Sequence, residues 1–260
     1  MRTAIVHPGA DNLRYEIRQI VEVAKAIQAT GQPIRWENIG DPVAKGEQPP
    51  AWIKEIVGAA AQEDLSFAYS PTRGLDETRA YIAAERNLEG GIQITADDIL
   101  FFNGLGDAIS TIYGALHPTA RVIGPNPAYP THSSAEAAHA GLPHITYRLD
   151  PQSGWKPDLA DLESKVAANP QIAGILIINP DNPTGFVYPQ DTLAAMVDIA
   201  RRYGLFLISD EIYSNLAYPG SAMRKLASVI GQTPAIAMRG ISKEFPWPGA
   251  RCGWIEVYNR

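Results

Sequence analysis

The stretch Ile175-Leu176-Ile177-Ile178-Asn179-Pro180-Asp181-Asn182-Pro183-Thr184-Gly185 is an aliphatic run that stops abruptly in a polar loop. The run is short and bounded by turn residues, which predicts a strand covered on both faces. Two prolines fix the backbone of the loop, and a glycine ends it. A helix is expected from about Gln190 to Tyr203, and a second apolar run, Leu205 to Ile208, then leads into Ser209-Asp210-Glu211. Strand alternating with helix at this spacing argues for a mostly parallel sheet with helices on both faces, a three-layer α/β/α sandwich.

The same pattern extends outward from this unit. Ile99 to Phe102 runs into Asn103-Gly104-Leu105-Gly106 and a helix to Leu116, and Arg121 to Ile123 runs into Gly124-Pro125-Asn126-Pro127-Ala128-Tyr129 and an Ala-rich helix that stops at Gly141. Nearer the amino end, Leu13, Ile17, Ile20, Val21, Ala24 and Ile27 recur at helical spacing over Asn12 to Thr30, and Gly31 with Pro33 ends the run. Gly40-Asp41-Pro42 opens a turn-rich segment, helices are expected over Ala51 to Gln62 and up to Asn87, and Tyr69 to Gly74 between them is loop. In open α/β sheets ligands bind beyond the carboxyl ends of the strands. Here those ends carry Gly, Asn, Asp and Lys, so separate loops are expected to converge on one crevice.

Composition narrows the partners. The 260 residues hold 22 Lys+Arg against 28 Asp+Glu, a net charge of −6. That balance lacks the clustered positive charge that nucleic acid or an anionic membrane surface would require. Cys252 is the single cysteine, so neither an intrachain disulfide nor a Cys-rich metal site is expected. The longest strongly apolar run, Ile172 to Ile178, is too short to span a bilayer, and no signal-peptide core forms before His7 and Pro8. A cytoplasmic protein acting on small polar metabolites is the expectation.

Several residues carry chemistry, each with a plainer reading beside it. Lys243 follows the apolar segment Ala235 to Met238, and Arg251 follows a bend set by Pro246, Pro248 and Gly249 that could return it beside Ser242 and Lys243. A lysine desolvated near another cation has a lowered pKa and can condense with an aldehyde, although a lysine and an arginine at a turn are ordinarily surface charge. Asp210 ends a strand that reads as buried, where an unpartnered carboxylate is costly, so it wants a cation; a helix cap or a core ion pair would also explain it. Tyr213 falls on the same side, with simple packing as its alternative. Asn182 before Pro183 is ordinary turn chemistry. The Gly104-Leu105-Gly106 turn offers free backbone N–H groups at a helix start to an anion such as phosphate. Ile109 stands where a dinucleotide fingerprint would have its third glycine, which argues against NAD.

Taken in order, Tyr69 with Gly74, the Gly104 to Gly106 turn, Pro127-Ala128-Tyr129, Asn182-Pro183-Thr184-Gly185, Asp210-Glu211-Ile212-Tyr213, and Ser242-Lys243 followed by Gly249-Ala250-Arg251-Cys252-Gly253 resemble the pyridoxal-phosphate-dependent aminotransferases of classes I and II, the aspartate aminotransferase-like group of fold type I. The resemblance runs from Gly40-Asp41-Pro42 to Trp254. It implies that Lys243 forms a Schiff base with pyridoxal 5'-phosphate and then moves a proton, and that Asp210 pairs with the pyridine nitrogen. It also implies that Asn182 and Tyr213 bond the ring oxygen and that Tyr129 stacks on the ring. Gly104, Leu105 and Gly106 would hold the phosphate with Ser242 and Arg251, and Tyr69 would reach the phosphate of a neighbouring subunit, giving a homodimer with shared sites. Gly40 and Asn182 would lie near the substrate. No metal is implied.

The implied reaction is a ping-pong transfer of an amino group between an α-amino acid and a 2-oxo acid. Other fold-type I chemistries, namely C–S lyases, decarboxylases and synthases, remain open, as do an inactive fragment that binds cofactor or dimerises and a nicotinamide-dependent oxidoreductase. Glu244-Phe245-Pro246-Trp247-Pro248-Gly249 is a variant bend for the family. Residues 1–50 are expected to form an N-terminal helix and arm of the small-domain and dimer region, and residues 51–260 the cofactor-binding large domain. By the resemblance, a further small-domain stretch of about 100 to 150 residues would follow Arg260, and with it the arginine that grips the substrate carboxylate.

Overall fold

The computed structural model describes residues 6–13, 16–37, 40–221 and 223–260. Pro8–Asn12 forms a short 3-10 turn and α1 follows over Glu16–Ala29, so the helix expected from Asn12 starts later. Asn12 instead donates from its side chain to the Ala137 carbonyl at 3.3 Å. Two further helices, α2 (Ala51–Ala60) and α3 (Asp76–Leu88), lead to the sheet.

The sheet region runs β1 (Ile99–Phe102), α4 (Leu105–Ala115), β2 (Arg121–Asn126), α5 (Pro130–Ala140), β3 (Thr146–Asp150), β4 (Lys156–Pro157), α6 (Leu159–Ala168), β5 (Ile172–Ile178), α7 (Gln190–Tyr203), β6 (Phe206–Asp210), β7 (Ala235–Gly240), α8 (Ile241–Glu244) and β8 (Gly253–Tyr258). The strands lie in the order β1-β8-β7-β6-β5-β2-β3-β4. From β3 through β2, β5 and β6 to β7 every pair is parallel, whereas β8 is antiparallel to both β7 and β1 and β4 is antiparallel to β3. The expected mostly parallel sheet is therefore present. Neither β3 nor β4 is evident from sequence, because only Tyr147 and Leu149 of β3 point inward and two inward residues are too few to display a period.

Alternation along β5 shows why the fold has three layers. Ile175 and Ile177 join the core on the side of α6 and α7, with Leu162, Leu193 and Met196. Leu176 and Ile178 join the core on the side of α4 and α5, with Ala108, Ile109 and Tyr113. Successive side chains of a strand face opposite ways, so a run apolar at every position needs helices on both faces. The helix ends obey local chemistry: Asp158 caps α6 through the N–H groups of Ala160 and Asp161 at 3.1 and 3.0 Å, and α5 and α7 stop at Gly141 and Gly204 in left-handed geometry. No described helix is long and apolar enough to cross a membrane.

Since β8 is antiparallel to both neighbours, β1 runs in the same direction as β7. The carboxyl ends of β1, β2, β5, β6 and β7 thus lie on one edge, and each leads into a loop or turn singled out in the sequence.

Candidate active site

Lys243 sits in α8, one turn beyond β7. The junction is tight: a Cβ on Gly240 would lie 2.9 Å from the Cys252 carbonyl, which keeps the end of β7 against the entry to β8. Lys243 is half-buried, and its Nζ donates to the Gly40 carbonyl at 2.8 Å. Desolvation lowers its pKa from the ordinary lysine range, and the Asp41 carboxylate works in the opposite direction. Desolvation, one of the two causes expected from sequence, thus lowers the lysine, while the expected neighbouring cation is not among the causes. The Arg251 guanidinium turns away to the Pro248 and Asn103 carbonyls, at 3.0 and 3.3 Å.

That turn takes Arg251 to the glycine loop. Gly104 is the N-cap of α4 with φ +82°, a conformation side chains rarely adopt, and a Cβ there would lie 2.3 Å from Nη2 of Arg251. Gly253 presses on the same helix start, where a Cβ would come within 2.9 Å of the Leu105 nitrogen. Backbone N–H groups at the head of α4 and a guanidinium thus share one small space, which is an anion site in the making. Gly106 meets nothing within 4 Å, so sterics require only the first glycine of the pair. Ser242 flanks Lys243 and is half-buried.

Asp210 closes β6 and is buried. Its Oδ1 accepts from the Ile212 N–H at 3.1 Å, and its Oδ2 lies 3.1 Å from Nε2 of His132. The expected partner was a cation or a ligand nitrogen; the structure supplies an imidazole. His132 comes from the first turn of α5, which Pro130 starts, and its other ring nitrogen, Nδ1, is buried without a hydrogen-bond partner among the described residues. Sequence reading missed this residue. The only available signal was its place three positions after Tyr129, and a lone histidine in an Ala/Ser-rich helix does not stand out. Tyr129 and Tyr113 both meet the His132 ring edge-on, with centroids 6.4 and 6.1 Å away.

Asn182 and Tyr213 are brought together as the motif order suggested, with Asn182 Nδ2 donating to the Tyr213 hydroxyl at 3.3 Å. Beneath them lies a buried charge network that sequence did not foretell. Glu211 accepts from the Ser209 hydroxyl at 3.0 Å, from the Leu226 N–H at 2.8 Å and from Arg239, which also reaches Glu256 at 3.1 Å. These bonds tie the end of β6 to β7 and β8.

Tyr69 is not brought to this cluster; it is fully exposed on the loop before Gly74. Among the described residues, no group of three or more His, Cys, Asp or Glu could hold a metal ion. The arrangement sets an anion-binding helix start at α4, a buried carboxylate at the end of β6 and a half-buried amine beyond β7 on one sheet edge.

Residues 38–260 match the family model of aminotransferase classes I and II. The chain is 58% identical over its whole length to an uncharacterized aminotransferase of Methanocaldococcus jannaschii, of which it covers 60%. It is 34% identical over 94% of its length to an alanine aminotransferase of Mycobacterium tuberculosis, covering 56% of that protein. Among solved structures, an alanine aminotransferase from Pyrococcus furiosus superimposes with a TM-score of 0.88 at 32% identity, over 98% of this chain and 63% of that one. The chain therefore spans roughly three fifths of the length of these relatives. With motif order, fold and family match in agreement, this chain belongs to the class I and II aminotransferases.

Proposed function

We propose that the chain carries the pyridoxal-phosphate site of an enzyme that transfers an amino group between an α-amino acid and a 2-oxo acid. The observation that carries the reading is the placement of Lys243, a half-buried amine on the same sheet edge as the buried Asp210 carboxylate and the Gly104 anion cradle. The residues fit the cofactor: Gly104 leaves at the head of α4 a space that a Cβ would fill, and Arg251 and Ser242 complete a phosphate cradle with the N–H groups of Leu105 and Gly106. When bound, pyridoxal phosphate supplies an aldehyde and an electron-withdrawing ring.

The chain's own residues do the rest. Lys243 holds the cofactor through Nζ and afterwards carries a proton to and from the substrate carbon. Asp210, oriented by His132, would accept from the ring nitrogen and keep a proton there. Asn182 and Tyr213 orient the ring oxygen, and Tyr129 limits access of water to one ring face. Gly40 lies against Lys243 at the substrate side.

A homodimer accompanies this reading. Trp52, Ile56 and Val57 on α2, with Leu65, Phe67 and Tyr69 on the following loop, are exposed apolar side chains, more than scattered surface residues explain. In such a dimer Tyr69 reaches the partner's phosphate. Two relatives named as alanine aminotransferases make alanine the first substrate to test.

Purified protein titrated with pyridoxal phosphate is expected to develop the visible absorption of a lysine-bound cofactor, and Lys243→Ala to abolish it. Alanine should bleach the band and pyruvate restore it. A wild-type chain that develops no band overturns the reading; pyruvate and ammonia released without an oxo-acid acceptor would move the chemistry to a lyase.

A further inference from the structure

We infer that Arg121 and Glu136 are positioning residues for His132: their buried ion pair fixes how α5 is turned and how far along the sheet it sits, and so brings the imidazole against Asp210. The inference rests on the reading of Asp210 as the partner of the cofactor ring, and it extends that site toward the opposite ends of the strands.

The first observation is a stripe of polar contacts. His132, Glu136 and His139 stand at i, i+4 and i+7 on α5, a spacing that puts them on one face of a helix. Each meets a different part of the sheet layer. His132 Nε2 lies 3.1 Å from Asp210 Oδ2 at the carboxyl end of β6, Glu136 takes the Arg121 guanidinium at the start of β2, and His139 Nε2 lies 3.0 Å from the Ala120 carbonyl. Arg121 and Glu136 are both buried. Glu136 Oε1 accepts from Nε of Arg121 and Oε2 accepts from Nη2 at 3.0 Å, while Nη2 also donates to the Pro143 carbonyl at 2.7 Å. A two-pronged fork of this kind fixes the direction of the carboxylate as well as its distance.

The second observation is the poverty of apolar anchors on α5. The apolar side chains it buries are Ala135 and Ala137, whereas α7 buries Leu193, Met196, Val197 and Ile199. Large side chains set into the grooves of a neighbour hold a helix in one orientation, and alanine has no arm to do so. A slip of one residue would carry α5 about 1.5 Å along its axis and turn it by about 100°. Either movement takes His132 out of reach of Asp210. A buried ion pair contributes little net stability, yet it is well suited to selecting one register among several. Glu136 lies one turn beyond His132, about 6 Å along the helix, so the register that Arg121 sets is passed to the imidazole through a single hydrogen-bonded turn.

The test separates register from stability. Arg121→Met combined with Glu136→Leu removes the pair and fills its volume with apolar groups, a replacement that proteins commonly tolerate. Glu136→Gln keeps the size of the side chain and loses one prong of the fork. Each cofactor-free protein is prepared with isotope-labelled histidine, its ring resonances are recorded by NMR, and His132→Phe assigns the signal. Wild-type His132 is expected to carry its proton on Nε2, shifted downfield by the Asp210 carboxylate. The double variant should lose that shift and Glu136→Gln should lose part of it, with exposed His117 unmoved. A pair that only holds the fold together would lower stability in urea and leave the His132 resonance in place, so an unmoved resonance in either folded variant overturns the inference. Titration with pyridoxal phosphate adds a double-mutant cycle: the double variant is expected to bind about threefold or more weakly, and that loss should vanish in a His132→Phe background. Additive losses also overturn the inference. A wild-type chain without a visible band instead defeats the cofactor reading and leaves the NMR result standing.

Discussion

Nε2 of His132 lies 3.1 Å from Oδ2 of Asp210, two buried side chains 78 residues apart in sequence. The contact joins the start of α5 to the end of β6 across the sheet edge. It fixes one oxygen of the carboxylate, while the other accepts from the Ile212 N–H at 3.1 Å.

Removing the imidazole leaves Oδ2 of Asp210 without its partner. His132→Phe is expected to destabilise the fold by about 1–3 kcal/mol, the usual cost of a buried polar group left unpaired, and to weaken pyridoxal phosphate binding by roughly tenfold or more. His132→Gln, which can still donate, should recover part of both losses. Urea unfolding and a cofactor titration read the two effects, and unchanged cofactor binding in His132→Phe would show that Asp210 needs no orienting partner.

The glycine pair offers an internal control. Gly104→Ala combines a left-handed backbone with a Cβ 2.3 Å from Arg251 Nη2, so at least 1–3 kcal/mol of strain is expected, along with a cofactor affinity reduced by an order of magnitude or more. Gly106→Ala meets open space and should bind nearly as wild type, and in helical geometry alanine is the better residue. Equal affinities for the two variants would remove Gly104 and Arg251 from the cradle.

Asp181 gives a pH signature. Burial raises its pKa above the ordinary carboxylate value, against the hydrogen bonds from Thr184, and its Oδ1 is buried without a partner among the described residues. A carboxyl group whose folded pKa is raised releases its proton more readily when unfolded. Stability is therefore lost as pH rises from the ordinary carboxylate range through the raised folded value, and the deficit persists above it. Asp181→Asn cannot ionise, so its stability relative to wild type should increase from pH 3 to pH 7. Parallel curves for the two proteins in urea unfolding would show that Asp181 does not titrate this way.

Arg239 lies between two buried carboxylates. Arg239→Met leaves Glu211 and Glu256 uncompensated and is expected to cost about 3–5 kcal/mol. The triple change with Glu211→Gln and Glu256→Gln should recover much of that loss, because the burden is the stranded charge and not the missing side chain. Thermal unfolding of the set decides; a triple variant no better than Arg239→Met would assign the loss to packing.

Much of the architecture was legible because it follows from local pattern. The run at Ile175 to Ile178 is apolar at every position and therefore needs cover on both faces, and the polar residues at the strand ends had to share an edge once the strands were parallel. Gly104, Asn182, Asp210, Tyr213 and Lys243 were singled out by the order of their motifs in the resemblance, and the structure sets them at or just beyond the ends of strands on one edge. The edge pair β3 and β4 was not, since a strand with two inward residues has no period to read.

What only the tertiary structure decided concerns partners distant in the chain. Sequence pointed to a desolvated Lys243 and a partner for Asp210; it could not say that no cation adds to the desolvation, that the partner is His132, or that Arg251 turns to Gly104 instead of Lys243. Local pattern is set by neighbours a few residues away, and it therefore fixes elements and their order. Pairings between residues 78 or 203 positions apart depend on which loops the sheet order brings side by side, and no short-range regularity encodes them.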